Sequence, residues 1–245
     1  MPEHELWITA LLNRYLAGAA NAVLSLIRVH VEDPAKPWAN FVAMQVMVAL
    51  IFIILFAILR PRLSMDRPGR LQHILEAVYG FLRGKSDDVV GHSGKKYLHF
   101  FGTVFLFILF CNLIGLIPSL ESPTMFTSVP LGCALVVFCY YNVMGLRSQG
   151  VFGYMKHFAG PMPWLAPIMV PIELFSHAGR LLSLTARLYA NMFAGEQVTL
   201  VFMSLIPLAI PVVFMGLHVF VAFLQAFIFT LLTMSYVSGA VAHEH

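Results

Sequence analysis

The sequence predicts an all-α polytopic membrane protein: about five membrane helices, the last two long and steeply tilted, preceded by an amphipathic N-terminal segment. Three observations lead there. The 245 residues are 59% hydrophobic and 11% charged, with 21 Phe and 13 Met, and the mean hydropathy is +0.81. Soluble domains run at roughly 25% charged, so a globule of this size lacks the charges to cover its surface. The apolar runs are continuous rather than alternating, which selects helices over a closed barrel, the other structure that satisfies its backbone in lipid. Lys and Arg gather between those runs. The net charge of +3 is too small to point to nucleic acid.

Residues 1–37 form an outer amphipathic segment and 38–245 the membrane domain. Arg14, Asn21 and Arg28 recur at sevens and draw one polar stripe on an otherwise apolar helix, which favours an interfacial helix over a sixth span. Glu3, His4 and Glu5 stand where a secretory signal carries basic residues, so no cleaved signal peptide is expected. Cys111, Cys133 and Cys139 lack CxxC spacing and read as small buried hydrophobes. No internal repeat or low-complexity tract is seen.

A span needs about 20 apolar residues. Residues 41–59 carry no charge and close on Arg60, Pro61 and Arg62. Residues 97–117 end at Pro118, and 124–146 follow after the turn SLESP, forming a tight antiparallel hairpin. Two further stretches, 163–206 and 208–242, separate near Pro207 and Pro211. The 36 residues from 171 to 206 make about 54 Å of helix, so they must tilt or break, with Gly179, Gly195 and Pro211 as break points.

Eight Lys and Arg lie in the loop 60–96, none in the turn 118–123, and Arg147 and Lys156 follow the third span. Both basic segments then lie on the cytoplasmic side, with the N-terminus outside and the C-terminus cytoplasmic. Within 60–96, Leu71, Ile74, Leu75, Val78 and Leu82 share the face of an amphipathic helix.

Charges inside spans cost about 2.5–3.5 kcal/mol each at the helix centre. The fourth stretch holds Glu173, His177, Arg180, Arg187, Asn191 and Glu196, and the fifth adds His218 and Gln225. At about 100° per residue, Glu173, His177 and Arg180 share a face and can satisfy one another, with Arg187 near that face and Asn191 one turn on. Glu196 is half a turn out of phase with Arg187, so the two are not an intrahelical pair. His218 and Gln225 share one face of the last helix.

Structural explanations compete for several of these residues. Arg180, near a helix start, suits snorkelling to headgroups. Glu173 and His177 read equally as a local structural pair or a functional one. Gln225 either joins helices by hydrogen bonding or serves function. His99, His243 and His245 read as interfacial or solvated. Arg187 is flanked by apolar residues and has no partner in its own helix, which points to a partner on another chain.

With NLIGLIP closing the second span, LTARLYANMFAGE around Arg187 and LQAFIF in the last helix, the chain resembles subunit a of the F-type ATP synthase membrane sector over nearly its whole length. Ala190 stands where the family usually has Gly. The resemblance implies a proton-conducting stator in a bacterial inner (plasma) membrane. Its partners would be a ring of c subunits, the peripheral stalk b subunits, the rest of the synthase, lipid and the translocated protons. Arg187 would face the ring carboxylate and block leakage between two half-channels. Glu196, His218 and Gln225 would line the outer path, Glu173, Ser176 and His177 the inner one, and Asn191 would orient the Arg187 region. No cofactor or metal is expected. Without a GxxxxGKS or GxxxxGKT loop, ATP chemistry is expected to belong to partner chains. A secondary ion-coupled transporter is the alternative, but it predicts an internal repeat. An intramembrane hydrolase would need a nucleophile with a base or a metal cluster within spans, and none is seen.

Overall fold

A computed structural model describes residues 6–26, 36–64, 68–91, 94–117, 120–159, 166–205 and 209–241. Expectations resting on Glu3 to Glu5, Arg28, Arg67, Pro118, Pro207, His243 and His245 fall outside them. Among the described residues the regular structure is helical: α1 (Trp7–Leu26), α2 (Asn40–Leu59), α3 (Arg70–Val90), α4 (Gly94–Ile114), α5 (Ser128–Ala159), α6 (Ala166–Leu205) and α7 (Ala209–Val241). The chain is an all-α membrane protein. Asn40–Leu59, Gly94–Ile114, Ser128–Gly150 and Val212–Val241 are each long and apolar enough to cross a membrane. α6, expected as a fifth span, is not among these four; its 40 residues carry the charges at Glu173, Arg180, Arg187 and Glu196.

Boundaries shift where local chemistry intervenes. The second span begins earlier, at Gly94, and the third begins at Ser128 rather than 124. Pro123–Met125 forms a 3-10 turn in its place. Ser122 Oγ donates to the Cys111 carbonyl at 2.9 Å and Thr124 Oγ1 donates to Asn112 Oδ1 at 2.7 Å. Asn112 Nδ2 in turn donates to the Ala222 carbonyl at 3.3 Å. The hairpin turn is thereby folded onto α4, and α4 is tied to α7, with these polar atoms satisfied away from water.

The expected breaks at Gly179, Gly195 and Pro211 do not occur. α6 runs unbroken through both glycines and through Pro171. Pro211 lies in the first turn of α7, where the missing N–H removes no intrahelical bond. The break in helical geometry falls in α5 instead, at Gly150, with φ 74° and ψ 165°, a conformation that glycine adopts without a Cβ clash.

α3 is longer than the surface helix expected within 60–96, and it packs against α4 and α7. Leu82 is buried there, whereas Leu71 and Ile74 of the same face are exposed. The main core joins Phe101, Phe105 and Ile108 of α4, Val137 and Tyr141 of α5, Leu188 and Met192 of α6, and Phe229 and Met234 of α7. Leu12 of α1 packs with Ala43 and Met44 of α2 in a smaller cluster. Ile53, Ile54, Phe175, Leu182 and Val213 point outward, as a lipid-facing surface allows. Cys111 is buried, but Cys133 is only half-buried and Cys139 is exposed. The expectation of three buried thiols fails because an apolar exterior accepts sulfur as readily as a core.

α6 and α7 run antiparallel: Arg180 meets Tyr236, Gly195 meets His218 and Phe202 meets Phe214. Ser238 Oγ donates to the Val89 carbonyl at 2.9 Å and Gln149 Nε2 to the Ala240 carbonyl at 3.1 Å. The ends of α3 and α7 and the Gly150 bend of α5 therefore meet at one end of the bundle, where the basic segments also lie.

Candidate functional site

The polar residues of α6 form three groups along its axis. At the end shared with the basic segments, Glu173 and His177 lie one turn apart, and Nε2 of His177 is 3.2 Å from Glu173 Oε1. Arg180 reaches the same oxygen at 3.9 Å, and its guanidinium lies 5.4 Å from the centroid of the Tyr236 ring. Arg180 thus holds to neighbours within the bundle, where snorkelling toward headgroups was also open. Tyr141 of α5 completes the group: its hydroxyl lies 2.6 Å from His177 Nδ1, and its ring stacks on the imidazole at 5.6 Å. Both Tyr141 and His177 are buried. Ser176 is half-buried beside them.

Tyr154 frames this group from the kinked part of α5. Its hydroxyl donates to Asn142 Oδ1 at 2.7 Å, and it lies within electrostatic reach of Arg180 and Glu173.

Arg187 occupies the middle of α6. It is half-buried, and Nη2 donates to Ser183 Oγ at 3.4 Å, one turn back. No carboxylate of the described residues pairs with it. Gly179, Ser183, Ala186, Ala190 and Ala194 are all exposed and draw a stripe of small residues along the helix beside Arg187. Small residues let a neighbouring membrane helix approach closely. Asn191, one turn on, is half-buried and makes no hydrogen bond to Arg187. Gln225 is buried on α7, and the antiparallel register sets it level with this turn.

The third group lies nearer the other end. Glu196 is half-buried and forms no ion pair among the described residues. His218 is buried, and its Nε2 has no hydrogen-bond partner among the described residues. Gly195, next to Glu196 in the chain, lets the His218 ring approach α6: a Cβ there would lie 3.2 Å from His218 Nδ1. Glu121, in the α4–α5 turn, lies within electrostatic reach of Glu196, and that turn packs on α6.

Glu173, His177 and Arg180 come together as their spacing predicts, and the fold brings Glu196 and His218 to one level. Neither Ser176 nor Asn191 is joined to these groups by a hydrogen bond. The sequence reading missed Tyr141, Asn112 and Glu121. Asn112 within NLIGLIP and a carboxylate in a short turn were visible signals; nothing in the sequence pairs Tyr141 with His177.

Residues 41–238 match the family described as ATP synthase A chain. ATP synthase subunit a of Solibacter usitatus (strain Ellin6076) is 62% identical over 233 residues, covering 95% of this chain and 99% of the relative. The subunit a of Koribacter versatilis (strain Ellin345) is 50% identical over 242 residues, covering 99% of each chain. That of Helicobacter pylori (strain G27) is 40% identical over 198 residues, covering 78% of this chain and 88% of the relative. Matched over most of its length and sharing half or more of its aligned residues with two such relatives, the chain belongs to the ATP synthase A chain family.

Proposed function

We propose that this chain is the proton-conducting stator of an F-type ATP synthase, in the bacterial inner membrane with its C-terminus in the cytoplasm. The observation that carries this reading is Arg187, a cation with no carboxylate partner among the described residues, beside an exposed small-residue stripe and between two polar groups. Its partner is then the carboxylate of a c subunit docked on that stripe. Arginine suits the task because it stays protonated in any protein environment and cannot relay protons itself. It favours the ionised form of each passing carboxylate. Glu196, His218 and Gln225 serve the outer path, Glu173, Ser176 and His177 the inner one, and Asn191 supports the arginine's turn. Each proton crossing contributes about 2.3 kcal/mol per 100 mV. The peripheral stalk b subunits hold the chain against the torque, and nucleotide chemistry rests with the rest of the synthase.

Replacing Arg187 with Ala tests this in inverted vesicles. ATP-driven proton pumping is expected to vanish, while the detached catalytic sector still hydrolyses ATP. Pumping retained at the wild-type rate overturns the reading.

A further inference from the structure

His177 is held at both ring nitrogens by groups from different helices. On its own helix, Nε2 faces Glu173 Oε1 at 3.2 Å. A carboxylate oxygen only accepts hydrogen bonds when ionised, so Nε2 carries a hydrogen. In the neutral ring Nδ1 is then the acceptor, and at 2.6 Å the Tyr141 hydroxyl donates to it. When the ring takes a second proton, that proton sits on Nδ1 and is donated to the Tyr141 oxygen, whose hydroxyl hydrogen rotates away without leaving it. One phenol therefore serves both charge states. The charged and titratable groups around this pair are Glu173 and Arg180 of α6, Tyr154 of α5 and Tyr236 of α7.

We propose that Tyr141 is a positioning residue of the inner proton path: it fixes the His177 imidazole with Nε2–H toward Glu173, so that carboxylate and imidazole act as one proton-holding unit. The inference deepens the reading of Glu173 and His177 as the inner path and rests on it. Tyr141 is almost fully buried and stacked against the ring it holds. It orients the unit and does not itself carry the proton onward.

The test uses the whole synthase in lipid vesicles. Nitrogen-15 NMR of labelled histidine, with His177 identified by its loss in His177→Gln, is expected to show a single Nε2–H tautomer in the unaltered enzyme. In Tyr141→Phe a mixture of tautomers is expected. Passive proton flux through the membrane sector should fall about 2- to 10-fold, the factor that one neutral hydrogen bond is worth. A Nδ1–H tautomer in the unaltered enzyme overturns the proposal even if the Phe variant fails to assemble. An assembled Phe variant with unchanged tautomer and unchanged flux overturns it too. Glu173→Gln separates the two levels. If it leaves flux intact, the inner-path reading fails; if it lowers flux while Tyr141→Phe changes nothing, only the role of Tyr141 fails.

Discussion

Two ends of one helix are built differently. Around Glu173, three helices converge, and the imidazole of His177 is bonded on both sides. Around Glu196, the carboxylate forms no ion pair among the described residues and His218 leaves Nε2 without a partner. A buried polar group that forgoes hydrogen bonds costs stability, so the second end spends stability that the first conserves. On the proposed reading, the closed end holds a proton in a fixed place, while the open end keeps bonding capacity free for exchange.

Removing the imidazole of the closed end has the largest expected effect on stability. His177→Ala removes one partner each from the Tyr141 hydroxyl and from Glu173, which keeps Arg180, and leaves a cavity, at a cost of about 2–4 kcal/mol. Heat-induced loss of the subunit from the purified complex measures this. His218→Ala serves as the reference and is expected to cost less, because no bond is lost at Nε2; equal losses would break the contrast.

A milder perturbation targets the wall of the closed end. Gly145 sits where a Cβ would come within 2.7 Å of the Tyr154 ring and 3.1 Å of the Ala240 carbonyl. The ring is held by Asn142 and the carbonyl belongs to the α7 backbone, so neither yields freely. Gly145→Ala is expected to cost about 1–3 kcal/mol, read by the same thermal assay. An unchanged midpoint would show that the wall is softer than its bonds suggest.

At the open end, Glu196→Gln is expected to leave stability within about 0.5 kcal/mol, since no ion pair is lost. Proton flux should nevertheless fall at least about tenfold, because a positioned acid–base group has been removed. Flux measurements on vesicles containing the assembled complex check this. Unchanged flux would sink the outer-path role of Glu196.

Much of this organisation is legible in the sequence. Four of the five spans that the sequence predicts are helices long and apolar enough to cross a membrane, and the Glu173–His177–Arg180 group follows from spacing at i, i+4 and i+7. Arg187 stands out because no residue within helical reach in its own sequence neutralises it, and no carboxylate among the described residues does so in the fold. The predicted breaks failed at Gly179 and Gly195 because a glycine inside a helix permits a bend without requiring one, and at Pro211 because it falls in the first turn of α7. At Gly195 the His218 ring approaches instead; the true bend at Gly150 lay in a stretch with no length conflict to reveal it.

What the sequence determined alone is therefore what short-range periodicity controls: the apolar spans, the gathering of basic residues and the neighbours one turn apart on a helix. The tertiary structure decided which helices meet and in what register. That decision placed Tyr141 on His177 across 36 residues, tied Asn112 to the hairpin turn and to α7, and brought Gly195 against His218. The physical reason is that helix pitch repeats every few residues and can be read locally. The register between two helices is instead set by the fit of all their facing side chains together.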